Sequence, residues 1–200
     1  SLQREWPSGS LRLTRNLSHG PIAVASAGVS YRQRNGIATQ AGVGATQTST
    51  LSTSFNPDLQ LVFRNGMSVA LRYLETRQEN NAFSNLTQST QQNVNGTFSY
   101  AIRLPESISK ARKAVRTSLS AGYTAGLNCL ASQGTGDCRT LSDVRRQEAQ
   151  ASMDTELFKM LTGGLQLGYV LDDARSLDRK VQQLYLSLNF SLSLFAGDYR

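Results

Sequence analysis

Two hundred residues are enough for one ordinary domain or one small closed barrel. Only 18% of them are charged, while 16 are Gly and Ser, Thr, Asn and Gln abound, a composition that argues against a soluble α/β protein and for strands. The formal net charge of +7 raises nucleic acid as a partner, but the basic residues are dispersed, and the one dense group (Lys110, Arg112, Lys113, Arg116) straddles a connection and a strand start, so the expectation is no nucleic acid.

Alternation with a period of two dominates the chain and predicts strands at about 9–17, 22–34, 48–64, 67–79, 91–104, 114–128, 142–158, 164–176 and 180–196. The first of these is weak. In the fourth, Met67, Val69, Leu71 and Tyr73 oppose Ser68, Ala70 and Arg72. In the fifth, Val94, Phe98, Tyr100, Ile102 and Leu104 oppose Asn95, Thr97, Ser99 and Arg103. In the sixth, Val115, Leu119, Ala121, Tyr123, Ala125 and Leu127 oppose Arg116, Ser118, Ser120, Gly122, Thr124 and Gly126. Ala149, Ala151, Met153 and Leu157 then oppose Gln150, Ser152, Asp154 and Glu156, and Leu165, Leu167, Tyr169 and Leu171 oppose Gln166, Gly168, Val170 and Asp172. The last strand shows the pattern best: Leu184, Leu186, Leu188, Phe190, Leu192 and Leu194 share one face, against Tyr185, Ser187, Asn189, Ser191, Ser193 and Phe195.

The connections alternate between short and long. His19-Gly20-Pro21, Arg64-Asn65-Gly66 and Leu161 to Gly164 read as tight turns, the second as an Asn-Gly hairpin turn. Gly36 to Gln47, Gln78 to Gln91 and the stretch between Cys129 and Cys138 read as longer polar loops. Pro105 to Lys113 breaks this alternation as a longer linker on the short-turn side, where Ser107 to Ala114 could form one or two helical turns; the bend near Ser176 is short for the loop side. Cys129 and Cys138 could close a small disulfide loop, which implies an oxidising compartment; the alternative is two free thiols at a loop rim.

Such a meander is an all-β, antiparallel up-and-down sheet, read as a transmembrane outer-membrane β-barrel or a section of a larger one, in a single domain over residues 1–200. No run of about 18 apolar residues offers a transmembrane helix. A soluble lipocalin-like ligand binder also alternates, but the polar face here is Ser, Thr, Asn, Gln and Gly with occasional Arg rather than the Lys and Glu of a water-exposed sheet. Tyr31, Tyr73 and Tyr123 fall near the long-loop ends of apolar faces, where an aromatic girdle sits. The expected lumen-facing polar residues are Arg72, Arg103, Arg116, Asp154, Glu156 and Asn189, and the expected lipid-facing ones Leu184, Leu186, Leu188, Phe190, Leu192 and Leu194. An odd strand count leaves two options. Either the first strand is not one, giving a small closed barrel with a structural or surface-binding role, or the chain is a section of something larger; its start at Ser1 without Met or signal peptide suits a mature secreted protein or an excised section equally. The sequence also lacks the final aromatic residue common in such barrels.

No catalytic constellation is legible. The only histidine, His19, lies at a short turn, away from the loop rim where a barrel hydrolase would need it, and two thiols with one distant histidine are too few for a metal. Asp154 and Glu156 share a face and read as counterions for Arg72, Arg103 or Arg116; Asp172 and Asp173 point to opposite faces. The sequons at Asn16, Asn85 and Asn95 are of a kind that arises by chance. The expectation is therefore no enzyme and no cofactor.

Short motifs carry a family resemblance: the two-cysteine loop, Ser142-Asp143-Val144-Arg145-Arg146-Gln147, Met153-Asp154-Thr155, Leu161-Thr162-Gly163-Gly164, Asn189-Phe190 and Phe195-Ala196-Gly197. On these the chain resembles the C-terminal region of SprA-type (Sov-type) proteins, the giant outer-membrane translocons of type IX secretion. The first half matches only by strand pattern. The resemblance implies the final strands of a very large protein-conducting barrel in the bacterial outer membrane or cell surface. Its expected partners are membrane lipids, the rest of the barrel or secretion-system subunits, and secreted protein cargo.

Overall fold

The computed structural model describes residues 2–40, 46–82, 85–103, 114–132, 138–158 and 161–192. They form nine strands: β1 (Leu2–Asn16), β2 (Ile22–Gln40), β3 (Thr46–Phe63), β4 (Ser68–Ala82), β5 (Asn85–Arg103), β6 (Ala114–Ser132), β7 (Cys138–Phe158), β8 (Leu161–Ala174) and β9 (Arg179–Leu192). A single 3-10 turn, Arg175–Leu177, joins the last two. The strands lie side by side in chain order in one antiparallel sheet, and β1 is not a neighbour of β9. The sheet is open. No helix among the described residues is long and apolar enough to cross a membrane.

All nine expected strands form, including the weak first one. β1 pairs with β2 from Leu2↔Ile37 to Asn16↔Val24, and the register shifts between Glu5 and Ser8. That irregularity, with Trp6 and Pro7 inside it, is why the alternation in β1 is clear only at Leu11 and Leu13. The eight-strand alternative therefore fails on both counts, because the first strand is real and the first and last strands do not meet.

Several expected connections are corrected. The strands extend into the polar stretches read as long loops: β2 and β3 stay paired to Gln40↔Thr46, β4 and β5 to Ala82↔Asn85, and β6 and β7 to Ala131↔Cys138. Leu161 to Gly164 is not a turn, since all four residues pair with β9 from Leu161↔Leu192 to Gly164↔Asn189. The Asp154 carboxylate from β7 lies over Gly164, in the space a Cβ there would take. At the β3–β4 turn only Gly66 has positive φ (86°), the Gly66 amide donates to the Phe63 carbonyl at 3.1 Å and the Phe63 amide to the Met67 carbonyl at 2.8 Å. This is a three-residue hairpin loop with glycine in the left-handed position, while Asn65 contributes its side-chain oxygen to the Met67 amide at 3.1 Å. The expected helical turns lie outside the described residues, apart from Ala114, which opens β6.

Candidate functional site: a concave polar wall

Because residues directly opposite in an antiparallel pair share a face, the registers carry the two faces across the whole sheet. One row starts at Arg15 on β1 and then runs through apolar residues only, Ala25, Leu61, Val69, Phe98, Leu119, Ala151, Leu167, Leu186. The neighbouring row on the other face runs Thr14, Ser26, Gln60, Ala70, Thr97, Ser120, Gln150, Gly168, Tyr185. The two faces thus persist over nine strands without a slip that exchanges them.

Curvature decides which face is inside. On a convex surface side chains splay apart and on a concave one they converge. Ala121, Ala149 and Ala151 on the apolar face are exposed, whereas the bulkier polar-face residues Gln150, Ser152 and Thr124 are half-buried. The polar face also has contacts that skip a strand. Arg12 on β1 reaches over Gly28 of β2 to the Asp58 carboxylate on β3 at 2.9 Å, and the Tyr185 hydroxyl on β9 reaches over Gly168 of β8 to Gln150 on β7 at 3.4 Å. Such reaches fit a sheet that bends towards the polar side, as the exposures do. The glycines make room for it: a Cβ at Gly28 would overlap Asp58, and one at Gly168 would overlap the Tyr185 ring.

The concave wall is lined by small hydrogen-bonding groups. Ser68 and Ser99 hydroxyls are 2.7 Å apart, as are Ser118 and Ser152, and these two pairs stand in one row through the Ser99↔Ser118 register. The Asn93 amide donates to the Thr124 hydroxyl at 3.0 Å and the Asn128 amide to the Ser142 hydroxyl at 2.8 Å. Charges on this face sit in mixed-sign groups: Arg12 with Asp58, Arg34 with Glu5, and Arg146 between Glu148 and Asp172 at 3.5 and 3.9 Å. These pairs are substantially exposed, so each contributes about 0–1 kcal/mol, and the wall is held mainly by its backbone ladders.

Register places every expected lumen-facing residue on the concave face. Arg72 stands opposite Asp58 and Asn95, Arg116 opposite Asp154, and Asn189 opposite Gly164. Arg103 and Glu156 share that face by backbone register, opposite Ala114 and Thr162, but their side chains lie outside the described residues. Leu184, Leu186, Leu188, Phe190 and Leu192 share the convex face and are 62–74% exposed; Leu194 lies outside the described residues. His19 sits in the β1–β2 turn with its Nδ1 2.9 Å from the Ser18 hydroxyl, and the neighbouring Arg64 donates to the Leu17 carbonyl at 2.8 Å and to the Ser18 carbonyl. No cluster of three potential metal ligands occurs among the described residues.

From β2 to β9 the convex face carries a band free of charge, whereas on β1 Arg15 stands on that face opposite Ala25. From Val29 to Ala25 on β2 and from Pro57 to Phe63 on β3, across to Leu184–Leu192 on β9, its described residues include no Asp, Glu, Lys or Arg. Between Leu184 and Leu192 the strand rises about 27 Å, or about 21 Å along the normal at a tilt of about 40°, close to the apolar height of an outer-membrane barrel. Charged residues on this face of β4, β7, β8 and β9 begin just above the band on the loop side, at Glu75, Arg145, Asp173 and Lys180, which occupy one row.

Aromatic residues mark that edge. Tyr31 pairs with Phe55; Tyr73 and Tyr123, both opposite Val94, lie one step lower; Tyr169, opposite Ala149, lies a further step lower. The edge is therefore oblique to the hydrogen-bond rows, as it must be when strands cross a layer at a tilt. The Tyr73 hydroxyl donates to Glu75 at 2.6 Å and the Tyr31 hydroxyl to Gln33 at 3.2 Å, both away from the band. An apolar ring with its polar tip directed outward is the arrangement of an interfacial girdle. Three of its members were legible as tyrosines at strand ends; Phe55 and Tyr169 became visible only through the cross-strand rows. Beyond the girdle, β2 to β7 continue as paired strands, and β6 and β7 are joined by a disulfide between Cys129 and Cys138 (Cα–Cα 5.6 Å).

Neither a protein-family profile nor a curated protein matches the chain. Among solved structures it is similar to the alcaligin outer-membrane receptor FauA from Bordetella pertussis, with a TM-score of 0.64 at 12% identity over 97% of this chain. It is also similar to the unliganded ferric citrate transporter FecA, with a TM-score of 0.43 at 10% identity over 97% of the chain. The chain spans 34% of the length of each. The first likeness shows the fold: an antiparallel meander of the kind that builds the wall of an outer-membrane barrel receptor.

Proposed function

We propose that the chain is a wall section of a large β-barrel in the bacterial outer membrane, with its concave polar face lining a hydrated passage and its convex band in lipid. The observation that carries this is the segregation of faces along the sheet, polar on the concave side and, from β2 to β9, with a charge-free apolar band on the convex side. A lipocalin-like ligand binder needs the reverse, an apolar concave interior. The nine strands remain an open sheet, which removes the basis for a small closed barrel.

The finer reading is a protein-conducting translocon of the SprA type, with secreted polypeptides as cargo. Its support is the motif resemblance, now joined to an observation on the wall: Asp154-Thr155 of one motif stand opposite Gly163-Gly164 of the next across β7 and β8, with Asp154 leaning over Gly164. A lining of Ser, Thr and Asn with neutralised charge groups also suits a passage that must not hold a polypeptide. The second reading is uptake of a metal chelate, favoured by the fold likeness to a receptor for alcaligin. Depleting the protein from its host separates them. The translocon reading expects surface and secreted proteins to accumulate in the periplasm with ferric-chelate uptake unchanged. Normal secretion with lost chelate uptake would replace it with the second reading.

A further inference from the structure

We infer that the free edge of β9 receives a membrane-spanning strand that runs from the turn side to the loop side and that no copy of this nine-strand sheet can supply. The inference rests on the membrane-wall reading, and it starts from strand direction. β1 runs from the loop side, where Leu2 meets Ile37, to the turn side at Asn16; β9 also runs from the loop side, where Arg179 meets Ala174, to the turn side at Leu192. Both edges of the sheet therefore point the same way. Copies inserted with one orientation present only such edges, so self-closure, or any ring of copies, would join β9 to its neighbour in parallel. Antiparallel pairing between two β9 edges would require one copy to be inverted across the membrane.

The β9 edge is one that needs a partner. From Val181 to Leu192 it contains no charged residue and no proline, and its outward leucines lie within the apolar band. In hydrocarbon each unpaired backbone group costs several kcal/mol, so an open transmembrane edge does not persist. The β1 edge carries Arg4, Glu5, Arg12 and Arg15 and the irregularity at Trp6 and Pro7, so of the two edges β9 is the less guarded. The partner chemistry follows from the row pattern. A strand opposite β9 presents apolar residues beside Leu186, Leu188 and Phe190 and small polar ones beside Ser187, Asn189 and Ser191. The structural feature behind the inference is an unguarded edge whose direction matches its opposite edge.

Site-specific photocross-linking tests this in outer membranes of cells making the full-length protein. p-Benzoylphenylalanine replaces Ser187 or Asn189 on the edge, and Gln166 on β8 as an interior control whose flanking strands are known. The inference expects edge adducts within about twofold of the control yield, with the captured peptide mapping outside residues 1–200. Capture of β1, of any other part of a second copy, or edge yields below half of the control overturns it. If carbonate extracts the protein from membranes, the membrane-wall reading itself fails; a membrane-embedded protein with β9 joined to β1 refutes the edge inference alone.

Discussion

Replacing Leu119 with arginine places a charge at the point of the convex face where it costs most. Leu119 lies midway between Tyr123, at the aromatic edge, and Val115, near the turn side, and it is 53% exposed on the outward face of β6. In a bilayer this is the midplane, where an outward arginine destabilises a barrel by about 2–4 kcal/mol, falling to about 0–1 kcal/mol at the interface. Tyr123→Arg supplies the interfacial comparison. Ser120→Arg, one residue away on the concave face, starts from a half-buried position but lets the long side chain extend its guanidinium to water, with an expected effect of about 1 kcal/mol or less. The assay is denaturant-induced unfolding in lipid vesicles, followed by heat-sensitive electrophoretic mobility. The expected order of destabilisation is Leu119→Arg ahead of both Tyr123→Arg and Ser120→Arg. A harmless Leu119→Arg beside a strongly destabilising Ser120→Arg would refute the assignment of faces.

Gly168→Ala should cost about 1 kcal/mol or less, because the new Cβ would displace the far end of the Tyr185 side chain, which stands over it on the edge strand; Tyr185→Ser in the same chain should remove that cost in a double-mutant cycle. Gly66→Ala should cost about 1 kcal/mol, because residue 66 holds φ of 86°; a neutral result in the same unfolding assay would contradict the turn assignment. Cys129→Ser removes a cross-link between positions 9 apart, worth about 2–3 kcal/mol by loop entropy. Its effect should be confined to the β6–β7 projection, read as faster proteolysis there with the membrane-protected fragment unchanged.

The parts of the fold legible in the sequence are those inside the apolar band. There one face is apolar and the other polar, so a period of two stands out, as at Leu184 to Leu192 or Val115 to Tyr123. Beyond the girdle both faces meet water, and stretches such as Gln78-Glu79-Asn80 and Ser89-Thr90-Gln91 carry no contrast between alternate residues. Their extension as strands depends on backbone pairing with neighbours, to which composition is blind. Gly163 and Gly164 were misread for a related reason. A glycine pair near a hairpin resembles a turn, and only the register that brings Asp154 over Gly164 shows that the pair lies within a strand.

The direction of curvature was equally hidden, since alternation defines two faces without saying which is concave. It became visible in contacts between residues distant in sequence, such as Arg12 with Asp58 and Tyr185 with Gln150. Among the described residues, those expected to line a lumen share the concave face and those expected to meet lipid share the convex one, and together they form a distributed wall rather than a localised centre.

The central claim, that the concave polar face meets water while the convex band meets lipid, is tested most directly by alternate-residue thiol labelling along β6. Single cysteines replace Ser118, Leu119, Ser120, Ala121, Gly122 and Tyr123 in a Cys129→Ser, Cys138→Ser background, and intact outer membranes are treated with a membrane-impermeant maleimide. The account predicts labelling at 118, 120 and 122 and protection at 119 and 121, with 123 intermediate at the girdle. Labelling of 119 and 121 with protection of the even positions, or uniform labelling of all six, would contradict it.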